Sequence, residues 1–113
     1  MSVLEIAWFR CSDKDLPARR AGFERAVALL RTAPGVHEVQ VFDCIENPQE
    51  IVLQARWDAV QNHVEFRESD LFQQYRSHIS GYFIEPPVAL HYEPSAGGGL
   101  LPSLSASESR SST

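Results

Sequence analysis

No stretch of the sequence approaches the roughly 18 consecutive apolar residues of a membrane-spanning helix. A membrane role is therefore not expected. Basic charge is also scarce, with a single lysine, Lys14, and nine scattered arginines against a net charge of −5. This argues against nucleic acid as a partner, because neutralising phosphates requires clustered Lys and Arg. Only two cysteines occur, Cys11 and Cys44, and no CxxC, HxxxH or HxxE spacing marks a metal site. Both are expected to be free thiols in a reducing cytoplasm. No basic segment followed by an apolar one opens the chain, so no secretory signal is expected. The one glycine run, Gly97-Gly98-Gly99, has no strand before it and no helix after it. Flavin and nicotinamide thus have no visible phosphate loop, and no cofactor is expected.

What is present reads as one small domain over residues 1–93, followed by a tail. Val3 to Cys11 is rich in β-branched and aromatic residues and predicts a strand. Leu4, Ile6 and Trp8 fall on one face of it, and Val3, Ala7 and Phe9 on the other. A strand with one wet face should alternate cleanly, so both faces must be covered. A helix follows: Ser12, Asp13 and Asp15 offer cap oxygens, Pro17 suits a first turn, and Leu16, Phe23, Val27 and Leu30 recur at helical spacing. Pro34-Gly35 ends it.

Val36 to Ile45 and Ile51 to Trp57 predict a hairpin around Glu46-Asn47-Pro48-Gln49. Asp58, with Gln61 three positions on, has the pattern of a capping box for a helix carrying Val60, His63 and Val64 inward. Ser69-Asp70 predicts a second cap, and Leu71 to Tyr82 a second helical piece that Pro86-Pro87 cannot extend. Val88 to Tyr92 closes the domain as a short strand. Residues 94–113 are Ser- and Gly-rich and nearly free of large side chains, so a disordered tail is expected.

The order is β-α-β-β-α-β, an α+β ferredoxin-like arrangement with both helices on one face of a four-stranded antiparallel sheet. The other face is left bare although its strands are apolar. A two-fold homodimer that closes two sheets on each other satisfies that constraint, and a monomer with a wet sheet face is the alternative.

The segments Arg56-Trp57-Asp58-Ala59-Val60-Gln61-Asn62-His63, Phe66-Arg67-Glu68-Ser69 and Phe72-Gln73-Gln74-Tyr75 carry a resemblance. Together with Pro86-Pro87-Val88 and His91-Tyr92-Glu93, they resemble the antibiotic-biosynthesis monooxygenase (ABM) family over residues 3 to 93. The resemblance implies the dimeric α/β-barrel fold and a pocket between sheet and helices in each subunit. Members include cofactor-free oxygenases that turn anthrone-type aromatics into quinones, haem-degrading enzymes, and enzymes that cyclise or rearrange polyketides. Fold alone does not choose among them. The haem-degrading branch implies an Asn in the first strand, a Trp ending the third, and a His four residues after the Phe of the second-helix motif. Trp57 matches, but the first strand has no Asn and Arg76 stands four residues past Phe72. His78 lies two positions further, about 200° round a helix. Haem degradation is not expected. The quinone-forming branch implies an Asn four residues before the Trp, where this chain has Leu53.

His63 is the candidate for proton transfer, since imidazole titrates near working pH. Its plainer role is a packing histidine. Trp57 and Phe72 are candidate walls for a flat ligand, and Tyr75 and Tyr82 candidate donors to a quinone or phenolate oxygen. Arg76 is a candidate for an enolate or carboxylate, and Phe23, Val27 and Ile79 complete the expected lining. Core packing, or a solvated surface for Arg76, is the plainer role of each. His37 and His91 show no partner in the sequence, and His78 is expected to be exposed. The reading that follows is a cytoplasmic, homodimeric, cofactor-independent monooxygenase-like enzyme acting on an aromatic or polyketide-type metabolite. A cyclase or isomerase using the same pocket without oxygen, or a non-catalytic ligand-binding dimer, stands as the alternative.

Overall fold

The computed structural model describes residues 2–95. The chain runs β1 (Val3–Arg10), α1 (Leu16–Leu30), β2 (Val36–Asp43), β3 (Glu50–Trp57), α2 (Val60–Arg67), α3 (Asp70–Ser77), a 3-10 turn (Ser80–Tyr82) and β4 (Val88–Tyr92). This is the expected α+β order, with the second helical segment broken in two. The four strands form one antiparallel sheet in the order β2-β3-β1-β4. The tail expected from residue 94 lies outside the described residues from 96 onward. Among the described residues no helix is long and apolar enough to cross a membrane.

Local chemistry accounts for most of the boundaries. Asp15 caps α1 by accepting the Ala18 N–H at 3.1 Å, and Ser69 caps α3 by accepting the Phe72 N–H at 3.2 Å. Gly35 ends the α1–β2 connection at φ +87°, a backbone conformation that favours glycine. Three expectations need correction. Asp58 does not cap α2: the cap position falls to Ala59 with no side-chain bond. The Asp58 carboxylate is instead paired with His37, which stands beside an irregularity in the β2–β3 pairing between Val36 and Val39. Val60 is exposed rather than inward, and the buried residues of α2 are His63 and Phe66. The last helix stops at Ser77 rather than Tyr82. There the chain turns back to the end of β1, where the Ile84 N–H donates to the Arg10 carbonyl and the Ser12 N–H to the Tyr82 carbonyl, both at 2.7 Å. Those tertiary bonds outweigh one more helical turn. β1 and β2 also end earlier than expected, at Arg10 and Asp43.

One sheet face is covered by helices and one is open. On the covered face the strand register sets up three cross-sheet rows: Ile51 beside Phe9; Val41, Leu53, Ala7 and Ala89; Val39, Ala55, Glu5 and His91. The first two pack under α1 and α3 with Phe23, Ala26, Leu30 and Ile79. The third row carries a carboxylate and an imidazole into that layer. On the opposite face, Phe42, Val52, Trp8 and Val88 form one row, with Ile6 beside Leu90 and Leu4 beside Tyr92 in the next two. Trp8, Phe42, Leu90 and Tyr92 are exposed there. Monomeric proteins seldom leave that many large apolar side chains contiguous.

Candidate active site

The site grows from the pleat of β1. Alternate residues share a face, so the residues that put Ala7 and Phe9 into the core put Glu5 there too. Glu5 is only 5% exposed. A carboxylate removed from water needs donors, and two side chains converge on it, with a third behind them. Trp57, two positions beyond Ala55 on β3 and fully buried, donates its indole Nε1–H to Glu5 Oε1 at 2.8 Å. His63 descends from α2, stacks on the Trp57 ring at 5.0 Å, and places Nε2 3.5 Å from Glu5 Oε2. The cross-strand neighbour of Glu5 is His91, whose Nε2 lies 2.8 Å from His63 Nδ1.

The hydrogen-bond roles are linked. When Glu5 is ionised, the His63 Nε2–H faces the carboxylate, and His63 Nδ1 accepts from the His91 Nε2–H. When Glu5 is protonated, both rings are free to exchange tautomers. Burial raises the Glu5 pKa above its usual 4.5, although the Trp57 N–H and the Arg67 charge pull the other way. Burial, then the neighbouring His91 and Arg67, lower the His63 pKa to about 4. His91 is also lowered, by burial first and Arg67 second. Around neutral pH both imidazoles are therefore uncharged, and the carboxyl is the group moved towards working pH.

Glu5 and His63 open onto a cavity of about 240 Å³. Its wall is aromatic: Phe66, Phe72 and Tyr75 contact one another with centroids 5.4–5.8 Å apart. Tyr75 is buried, and burial followed by the Glu5 charge raises its pKa, so the hydroxyl stays a donor. Ile79 lies on the inner wall, and the exposed Arg67 and Arg76 mark the mouth.

Six of the nine residues singled out from the sequence meet here. His63, Phe72, Tyr75, Arg76 and Ile79 line the cavity, and Trp57 stands behind Glu5 as its donor. Three do not. Tyr82 packs against Gly22, and Phe23 and Val27 line a separate groove of about 460 Å³ beside β2. Glu5, Arg67 and His91 were not singled out. His91 and His37 do have partners, His63 and Asp58. His78 is half-buried beside Arg25 rather than exposed. Among the described residues no group of three His, Cys, Asp or Glu is placed to hold a metal ion.

The shifted groups act on stability in opposite directions. His63 has a lowered folded pKa, so its contribution is present above pH 6.5 and lost as pH falls towards 4. Glu5 has a raised folded pKa, so its contribution is present below pH 4.5 and lost as pH rises through the folded value. Glu5→Gln keeps an acceptor for Trp57 and removes the buried charge. The variant should be more stable than wild type at pH 8 in urea denaturation. Its stability should also fall more steeply between pH 6.5 and 4, because the offsetting gain from Glu5 is gone. A less stable variant at pH 8 would mean that the carboxylate is well solvated by its donors.

Comparison with known proteins agrees with this architecture. The family model for antibiotic biosynthesis monooxygenases matches residues 9–77. A protein of Bordetella bronchiseptica, provisionally named an antibiotic biosynthesis monooxygenase, is 33% identical with a TM-score of 0.78, over 84% of this chain and 98% of its own. Rv0793 of Mycobacterium tuberculosis is 21% identical with a TM-score of 0.69, over 85% and 97%. SnoaB of Streptomyces nogalater, described as a cofactor-independent oxygenase, is 12% identical with a TM-score of 0.70, over 84% and 95%. The last two similarities speak to fold alone. No curated protein matches the chain. With more than half its length matched by the family model, and a relative at one-third identity along nearly all of the domain, the chain belongs to the antibiotic biosynthesis monooxygenase family.

Proposed function

We propose that the protein is a cofactor-independent monooxygenase acting on an aromatic or polyketide-type metabolite, with Glu5 and His63 as the proton acceptor. The observation that carries this reading is a buried carboxyl of raised pKa opening onto an aromatic-walled cavity. A general base works best when its pKa lies near the working pH, and burial moves Glu5 that way. His63, held neutral, is the ring through which the proton passes on to His91 and the surface.

The chemistry asks little else of the protein. A substrate CH2 flanked by aromatic carbonyl or phenol groups loses a proton to Glu5–His63. The resulting carbanion gives one electron to O2, and the radical pair combines into a C–O–O peroxide anion. That anion takes a proton back, and loss of water leaves a ketone, so CH2 and O2 become C=O and H2O. Phe66 and Phe72 hold the ring, Trp57 orients Glu5, and the Tyr75 hydroxyl donates to the oxygen on which charge collects. A cavity of about 240 Å³ is below the roughly 300–1,000 Å³ of drug-sized sites. Because Glu5 and Tyr75 together form an acid–base pair, an oxygen-free isomerisation or cyclisation is the second reading.

The same reading makes the protein a homodimer through the open sheet face, where Trp8, Phe42, Leu90 and Tyr92 are exposed. It also places it in the cytoplasm, with Cys11 and Cys44 both free. Light scattering at low micromolar concentration should give twice the chain mass of 12.7 kDa. A folded monomer would contradict the sheet-to-sheet assembly.

With 1,8-dihydroxyanthrone as probe substrate, turnover should stop without oxygen; turnover that persists would favour the isomerase. Glu5→Gln and His63→Ala should each lower kcat by ~10²–10⁴, the range for losing positioned proton transfer, with binding nearly unchanged. Tyr75→Phe, which removes one hydroxyl and almost no volume, should lower kcat less. Saturable binding without product in the wild type would leave only a ligand-binding module.

A further inference from the structure

The cavity is electrically lopsided. Its floor holds Glu5, and its rim holds two guanidinium groups, Arg67 at the last turn of α2 and Arg76 at the last turn of α3. Ion pairs among the described residues are His37–Asp58, Arg56–Glu38 and His63–Glu5, and neither rim arginine takes part. The guanidinium hydrogen bonds there come from Arg10, Arg19, Arg25, Arg31 and Arg56. Arg76 is held towards the cavity by its guanidinium over the Phe83 ring, 5.9 Å from the centroid, and Phe83 is itself a lining residue. Arg67 is near enough for its charge to act on Glu5, His63 and His91. Two uncommitted guanidiniums beside one aromatic slot, with a carboxylate beneath, favour a ligand with one anionic end and one neutral end.

We propose that the natural ligand is an aromatic acid whose carboxylate is bound at the mouth by Arg67 and Arg76 while its neutral ring enters towards Glu5. This deepens the functional reading above and rests on the same cavity binding an aromatic ring. The polarity also fixes orientation, since a carboxylate entering first would meet Glu5 with like charge. Guanidinium forks suit carboxylates because their paired N–H groups match the two oxygens. The competing role for both arginines is to offset the negative ends of their helix dipoles. That role would appear in stability and not in binding.

The test is a titration of the full-length protein with two isosteric probes, 2-naphthoate and 2-naphthamide, followed by calorimetry at low salt. Naphthoate should bind about tenfold more tightly or better, and the difference should shrink as salt rises. Arg67→Ala and Arg76→Ala should each remove most of the preference, with naphthoate affinity falling far more than naphthamide affinity. Both sites are exposed, so the variants should fold, and a melting curve checks it. Equal affinity for the two probes, or a preference that survives both substitutions, would overturn the anion site and leave the aromatic pocket standing. Failure of both probes to bind at millimolar concentration would overturn the pocket reading along with it.

Discussion

The burial of one carboxylate sets the terms for everything around it. Glu5 sits in a layer that is otherwise mostly apolar, and an ionised group there loses most of its hydration. The fold offsets that loss with a fully buried tryptophan that has its only polar atom aimed at Glu5, and with a histidine stacked on that tryptophan. Trp57 is thereby both a core residue and a hydrogen-bond donor. His63 is both a lid over the indole and a link to the surface through His91. Removing the carboxylate would relieve the protein of its most expensive buried group, and an apolar residue at that position would pack more easily. Its presence is the reason to look for chemistry here.

The geometry follows from the sheet. Antiparallel pairing of β1 with both β3 and β4 places Glu5 between Ala55 and His91 in a single row. On the helical side, the break at Ser69 turns the chain so that α2 supplies His63 and Arg67 while α3 supplies Phe72, Tyr75 and Arg76. A single unbroken helix could not present both sets to one cavity. The break is a capping event written in Ser69, and it makes the site possible.

Much of this was legible in the residues. Alternation along Val3 to Phe9, the cap at Asp15, the stop at Pro34-Gly35 and the break at Ser69-Asp70 are local signals, and they fixed the order of elements. His63 could be placed inward from its helical spacing. Glu5 was within reach of the same reasoning, because a carboxylate in phase with Ala7 and Phe9 must lie on their face. The pairing of His63 with His91 was not, since it depends on the register that sets His91 beside Glu5 on a strand from the other end of the domain. Nor could spacing tell that Phe23 and Val27 face a different groove, because both cavities border the same core. Asp58 departs from its capping pattern for a related reason: a nearby imidazole, His37, brought up by the fold, takes the carboxylate that the helix end would otherwise have used.

The site depends on Glu5 being held as a carboxyl of raised pKa beside a neutral imidazole. The direct measurement is a carbon-13 NMR titration of the glutamate side-chain carboxyls, with Glu5→Gln identifying the resonance. Glu5 should show a midpoint above 4.5, and His63 should remain uncharged down to about pH 4. A Glu5 midpoint at or below the usual glutamate value, or a His63 ring that takes up its proton near pH 6.5, would contradict it.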